Sequence, residues 1–147
     1  HATDDALCQR EIAALRQEVD ELQRREITAG VWKAWVPSVY TGWSSLTSGD
    51  DYYLCIGNLV VIRIAMTAGT SNTNAASISL PFTAASTNAT TGTNGYAVDN
   101  GTGLTTASRW DIPASSTTIN FYKDMVAGTW TNSGTKRIYC VAIYEKA

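Results

Sequence analysis

Hydrophobic residues near the start of the chain repeat at alternating intervals of three and four, which is the spacing of a coiled-coil seam. The a and d positions of this seam are held by Cys8, Ile12, Leu15, Val19 and Leu22. A helix with so narrow an apolar stripe buries little surface and is marginal alone in water. The pattern therefore predicts that residues 1–30 form a parallel coiled-coil oligomerisation stem of identical chains.

Local signals predict where this helix begins and ends. Thr3 or Asp4 can cap its start, and the adjacent acidic pair Asp4-Asp5 suits the positive end of a helix dipole. Gly30 predicts its end. The number of chains in the coiled coil is less clear from the helix. By the simplest rule of coiled-coil packing, Ile or Val at a with Leu at d favours a dimer.

From Val31 onward the hydrophobic period changes to two and the next segment is dense in aromatic rings. We expect these rings, just past the stem, to form a collar where neighbouring heads touch. The collar residues are Trp32, Trp35, Pro37, Tyr40 and Trp43.

Period-two alternation predicts short strands along the rest of the chain. Gly57-Asn58 separates two of them, 52–56 and 59–66, and is a two-residue hairpin signal. The other predicted strands are 78–82, kept short by Pro81, and 109–112, 118–122 and 137–144. Both faces of the last strand are apolar, which predicts a central strand lying between two sheets or between a sheet and the oligomer axis.

Residues 83–107 are rich in Thr, Asn, Gly and Ala and predict a long loop or an irregular hairpin. Many short strands, turn-rich connections and the absence of a second helical pattern indicate a mainly β fold. We therefore expect a jelly-roll-like antiparallel β-sandwich head over residues 31–147, preceded by the helical stem.

Charge and hydropathy narrow the class of partner. The chain has 147 residues and a formal net charge of −2, and its acidic excess lies in residues 1–30. Nucleic-acid binding depends on phosphate neutralisation, so the nearly neutral head argues against a nucleic-acid partner. No apolar stretch is long enough to span a bilayer, so we expect no membrane insertion.

The sequence contains no motif of a known catalytic class, and its only histidine is His1. Carboxylates of the head could serve a glycosidase, but their turn-like contexts favour structural roles. These carboxylates belong to Asp50, Asp51, Asp99, Asp111, Asp124 and Glu145. The three cysteines lack metal-ligand or redox spacing, and Cys55 and Cys140 lie in apolar strands that predict buried free thiols. We expect no catalytic residue, no metal site and no cofactor.

Surface recognition is then the main candidate function. Four aromatic residues lie in or beside polar segments rich in Gly, Thr and Ser: Trp43, Tyr96, Trp110 and Trp130. Exposed rings of this kind stack on sugars or anchor a protein partner, so we predict these four as receptor-binding residues. The alternative is that the rings plug the ends of the sandwich or the subunit interface.

Three short motifs follow one another in the head. They are Trp35-Val36-Pro37, the hairpin from Tyr53 to Val60, and the segment from Ile78 to Phe82; a closing strand, Tyr139–Tyr144, follows them. Together they resemble the C-terminal head domains of bacteriophage tail fibres and related minor tail or virion fibre proteins, over most of residues 31–147. The resemblance implies a homotrimer at the virion surface, behind a fibrous stem, that contacts a bacterial surface glycan or protein receptor. It outweighs the dimer preference of the helix.

The sequence thus predicts a non-enzymatic virion fibre head that adheres to the bacterial host cell surface as a trimer. We expect residues preceding His1 to connect it to other virion proteins. A capsid or tail decoration protein that stabilises the particle is the main alternative. A secreted trimeric head of the complement or tumour-necrosis type and a polysaccharide-cleaving enzyme are further alternatives.

Overall fold

The computed structural model describes residues 2–28, 30–46, 51–65 and 69–147, and within the helix it describes the side chains of residues 3–24. The chain divides into two compact units, and the division falls in the sequence between Val31 and Trp32. The first unit contains a helix, and the second contains the strands.

The helix α1 runs from Ala2 to Thr28. Its 27 residues correspond to a rod about 40 Å long at 1.5 Å per residue. Thr3 and Asp4 lie inside the helix, so the prediction that one of them caps it is wrong; Asp4 and Asp5 instead place negative charge in its first turn. Gly30 has a φ of 75°, the left-handed conformation that glycine adopts after a helix end.

The described part of the head contains thirteen strands. In chain order they are β1 (Lys33–Ala34), β2 (Tyr40–Thr41), β3 (Trp43–Ser45), β4 (Tyr52–Ile56), β5 (Leu59–Ala65), β6 (Gly69–Ser71), β7 (Ser77–Ser79), β8 (Thr90–Thr93), β9 (Tyr96–Asp99), β10 (Thr102–Gly103), β11 (Arg109–Ile112), β12 (Thr118–Tyr122) and β13 (Thr135–Glu145).

The strands form two antiparallel sheets. The first has the order β1-β4-β5-β13-β6-β3, with β9 paired to β13 and β10 paired to β9. The second has the order β2-β7-β12-β11-β8. The expected mainly β fold with one N-terminal helix is confirmed. Strand β13 is central within its sheet, since it pairs with β5 on one side and β9 on the other. Its position between two sheets, or between a sheet and an oligomer axis, stays a prediction.

The predicted hairpin at Gly57-Asn58 is confirmed. Ile56 pairs with Leu59 across a two-residue turn, and Gly57 has a φ of 59°, which glycine adopts without steric cost. Along β5 the alternate residues 60, 62 and 64 are buried, as the pattern indicates. Met66, the last residue of the predicted strand, lies outside the described residues.

Residues 83–107 contain three short strands, so the prediction of a long loop is wrong and the irregular hairpin describes the region better. Asn100 and Gly101 both have positive φ, 49° and 78°, and connect β9 to β10. Positive φ at both central residues is the requirement of a type I′ turn, for which Asn-Gly is a preferred sequence. The threonine-rich strand β8 pairs with β11.

The inner faces of the two sheets build one hydrophobic core. The first sheet contributes Val60, Ile62, Ile64, Ala97, Ile138, Cys140, Ala142 and Tyr144, and the second contributes Ile78, Trp110, Ile112, Ile119 and Phe121. Because strand residues alternate between faces, the neighbours of these residues along each strand point away from the core. The prediction of a buried thiol is confirmed for Cys140, whereas Cys55 is half-buried.

One lysine is part of this interior. Lys136 is fully buried, and its ammonium lies 5.0 Å from the ring centroid of Trp43 and 5.9 Å from that of Trp130. It donates hydrogen bonds to the backbone carbonyls of Gly42 (2.8 Å), Thr73 (3.1 Å) and Ala75 (2.8 Å). Burial lowers the pKa of Lys136 to about 8, although the negative charge of Asp99 raises it. The ammonium thus ties β13 to two other backbone segments, one at Gly42 and one at residues 73–75.

Candidate functional site

The seam residues of α1 all lie on the surface of the single chain. Leu15, Val19 and Leu22 are 61%, 49% and 57% exposed, and Cys8 and Ile12 are exposed as well. A shallow groove of about 330 Å³ follows the seam between Ile12 and Asp20. This exposed apolar stripe is a surface of the kind that buries itself against another helix.

Three of the four predicted receptor-binding rings are buried, so their assignment as exposed recognition residues is wrong. Trp43, Trp110 and Trp130 are 3%, 4% and 3% exposed and belong to the hydrophobic core. The indole N–H of Trp43 donates to the carbonyl of Lys136, and that of Trp130 donates to the carbonyl of Phe121, both at 3.0 Å. The alternative, that these rings fill the interior, describes them better.

A glycine makes room for the ring of Trp110. Gly92 lies directly across from Trp110 in the pairing of β8 with β11. A Cβ atom at Gly92 would lie 2.5 Å from Cζ2 of the indole, which is closer than carbon atoms can approach. The polar residues beside Trp110 in sequence therefore point outward, and the ring points into the core.

Tyr96 is the fourth predicted receptor-binding residue and is 50% exposed. It pairs with Tyr139 across β9 and β13, with ring centroids 5.8 Å apart. The four predicted residues do not come together as one surface: Trp43 and Trp130 flank Lys136 in the core, and Tyr96 lies on the outer side of the first sheet.

The predicted aromatic collar is also divided. Trp35, Pro37 and Trp43 are buried within their own head, so they are not free to form a contact between heads. Trp32 and Tyr40 are 43% and 39% exposed and remain candidates.

The outer face of the second sheet is polar and carries a groove that the sequence did not reveal. The groove has a volume of about 520 Å³ and lies beside β11. Its lining residues are Ala89, Thr90, Thr91, Arg109, Asp111, Pro113 and Met125. The alternation of Arg109 and Asp111 around Trp110 was a local signal for these side chains, but the contribution of Met125 comes from a distant loop.

Arg109 and Asp111 organise this groove. Their side chains form an ion pair at 3.1 Å, and the hydroxyl of Thr91 donates to the other carboxylate oxygen of Asp111 at 2.7 Å. Arg109 also donates to the carbonyl of Met125 at 3.0 Å and lies 4.7 Å from the ring centroid of Tyr122. These contacts hold hydrogen-bond donors and acceptors in fixed positions along an open surface, beside the exposed side chain of Met125.

Three other carboxylates of the head, those of Asp51, Asp99 and Asp124, have structural partners, and Glu145 is exposed. Asp99 forms an ion pair with Lys123 at 2.7 Å and accepts two hydrogen bonds from Thr131. Burial raises the pKa of Asp99, but the hydrogen bonds and charge of its partners outweigh burial and hold that pKa below its ordinary value. Asp124 accepts the backbone N–H groups of residues 126 and 128, and Asp51 accepts that of Ala65. Asp50 lies outside the described residues.

Side chains that could bind a metal are scattered. Within the described ranges, no group of three or more His, Cys, Asp or Glu residues is arranged to hold a metal ion. No helix in the described part of the chain has the length and apolarity needed to cross a membrane. The sequence matches no protein-family model and no curated protein.

Proposed function

We propose that this chain is a non-enzymatic virion fibre head that attaches to the surface of a bacterial host cell as a homotrimer with a jelly-roll-like head. The exposed apolar seam of α1 carries the proposal, because such a stripe becomes stable in water when identical helices bury it together. The choice of three chains rests on the resemblance to tail-fibre heads.

The groove of the second sheet supports attachment as the role of the heads. Thr91, Arg109 and Asp111 offer hydrogen-bond donors and acceptors, and Met125 offers apolar contact, a combination that suits a hydroxyl-rich surface glycan or a polar protein loop. An open groove of this kind binds weakly by itself. Three grooves on one stem raise the overall avidity by about 10²- to 10⁴-fold through effective concentration.

The same groove supports a binding role over a catalytic one. Glycoside hydrolysis requires two carboxyl groups on opposite sides of the scissile bond. Asp111 is the only carboxylate among the described lining residues, and it is paired with Arg109. The groove therefore has the chemistry to hold a ligand and lacks the second acid that cleavage needs.

The test is binding of the fluorescently labelled full chain to a panel of bacterial strains and purified surface polysaccharides. We expect Arg109→Ala and Asp111→Ala to weaken binding at least tenfold, since each removes half of the ion pair that shapes the groove. Thr41→Ala is the matched control, because Thr41 is exposed on the same sheet at its opposite edge. No release of reducing ends from the bound polysaccharide is expected.

Equal binding by all three variants would exclude this groove as the receptor site. Normal adsorption by particles that carry altered heads, together with loss of particle stability, would favour the decoration protein in place of the adhesin.

A further inference from the structure

The outer face of the first sheet carries a continuous apolar surface, which we call the apolar face. It consists of Leu54, Ile56, Leu59, Val61, Val141 and Ile143. The strand register sets Leu54, Val61 and Ile143 side by side in one row across three strands. Val141, Ile56 and Ile143 are 56%, 55% and 48% exposed in the single chain.

The second sheet is the internal comparison, because its outer face has the opposite character. The side chains that point outward there are polar or hydroxyl-bearing: Ser77, Ser79, Thr91, Thr93, Arg109, Asp111, Thr118, Asn120 and Tyr122. Solvated antiparallel sheets alternate between apolar inner and polar outer residues, as the second sheet does. The first sheet breaks this rule at the apolar face, which indicates that this face is covered.

The charges around the apolar face do not oppose a second copy. Arg63 and Glu145 are outward-facing charged residues of opposite sign. They lie on either side of the row described above, since Arg63 pairs with Val141 and Glu145 pairs with Leu59. The guanidinium of Arg63 lies 4.8 Å from the ring centroid of Tyr52 and 5.6 Å from that of Trp32. When identical faces pack together, each therefore presents an apolar centre that has one positive and one negative residue beside it.

The short connection between the stem and the head indicates which molecule covers the apolar face. Only residues 29–31 separate the end of α1 from Trp32, and Trp32 contacts Arg63 at the border of the apolar face. Identical stems wound in parallel would hold this part of every head close to a shared axis. A strand surface of Val, Ile and Leu also lacks the hydrogen-bonding groups that a glycan requires, and it resembles the apolar interfaces of permanent homo-oligomers.

We propose that the apolar face is the surface through which the heads of identical chains contact one another. Three copies of the face meet around the axis of the proposed trimer, which satisfies closed rotational symmetry. The second sheet, with its polar groove, then faces outward. This inference rests on the self-association in the proposed function and does not depend on binding to a host.

The first test needs no variant. Hydroxyl-radical footprinting of the full chain, read by mass spectrometry, compares Val141 and Ile143 with Val126, which is 87% exposed in a loop. We expect labelling of Val141 and Ile143 to fall at least fivefold relative to Val126 as the protein concentration is raised into the associated range. Labelling of all three that stays proportional to exposure at every concentration would overturn the proposal.

The second test is a matched pair of charge insertions in the full chain. Val141→Lys places a charge on the apolar face, and Thr93→Lys places the same charge at an exposed strand position of the second sheet. We expect Val141→Lys to weaken association at least tenfold in sedimentation equilibrium, with Thr93→Lys unchanged. Equal association of the two folded variants would overturn the proposal; if Val141→Lys fails to fold, the footprint decides alone.

The proposed host attachment and the proposed head interface can be refuted independently of each other. Protection of the apolar face together with absence of binding to any strain would keep the head interface and reject the adhesin. Binding to a strain with an unprotected apolar face would do the reverse.

Discussion

Replacement of Leu15 by alanine is the most direct perturbation of the stem. Leu15 is 61% exposed in the single chain and occupies a d position, so nearly all of its exposed area would be buried in a bundle. Full burial of a leucine side chain is worth about 1.5–3 kcal/mol, so the exposed part is worth about 1–2 kcal/mol for each chain.

A trimer would lose this contribution three times, less the part that the Cβ of alanine retains. We therefore expect Leu15→Ala to cost about 2–4 kcal/mol per trimer, which lowers the association constant by roughly 30- to 1,000-fold at 1.4 kcal/mol for each factor of ten. Alanine is a strong helix former, so the helix itself is preserved.

The assay is sedimentation equilibrium of the full chain over a wide concentration range. Gln17→Ala is the matched control, since Gln17 lies at the f position on the opposite side of the same helix. Dissociation of Leu15→Ala and Gln17→Ala over the same concentration range would refute the reasoning that the seam is buried by self-association.

Three other predictions concern the interior and the thiols. Because the pKa of Lys136 in the folded head is about 8, below the 10.5 of a free lysine, the unfolded chain holds more protons between these values and stability rises with pH. From pH 7.5 to 9 we expect the free energy of unfolding in urea to rise by about 1 kcal/mol relative to Lys136→Met. Gly92→Ala should lower the free energy of unfolding by about 1–3 kcal/mol, because the new methyl group overlaps the ring of Trp110. Maleimide labelling of Cys8 should slow as protein concentration rises, while Cys140, whose pKa burial raises to about 12, stays unlabelled in the folded protein.

Each of these outcomes has a clear contrary result. A pH dependence that is identical with and without Lys136 would mean that its three carbonyl partners keep the proton in place. Gly95→Ala is the control for overpacking, since its Cβ would lie 3.4 Å from the carbonyl of Tyr139, an ordinary distance. Labelling of Cys8 that does not depend on concentration would count against a buried seam.

The predictable parts of the fold are those in which the pattern of neighbouring residues along the chain indicates which side chains are buried. Alternation along β5 and the Gly57-Asn58 turn predicted a hairpin because both signals lie within a few residues of each other. Likewise, the heptad spacing predicted the helix. Trp110 was misassigned because its polar neighbours suggested an exposed surface, whereas Arg109 and Asp111 alternate with it and lie on the outer side of the same strand.

The remaining features depend on residues that are far apart in sequence. Lys136 can be buried because carbonyl groups from Gly42, Thr73 and Ala75 accept hydrogen bonds from its ammonium. The residues near Lys136 in the sequence do not predict these partners. The groove could not be predicted for the same reason, since Met125 joins Arg109 only in the folded head.

The pairing of β13 with β5 has a consequence for the order of assembly. Ile64 pairs with Cys140 across about half the length of the chain, whereas the backbone hydrogen bonds of α1 join residues four apart in sequence. Helices form within about a microsecond, and sheets built from distant segments take milliseconds to seconds. We therefore expect newly made chains to associate through their stems before their heads are folded. Each head then completes its folding next to the other heads of the same oligomer.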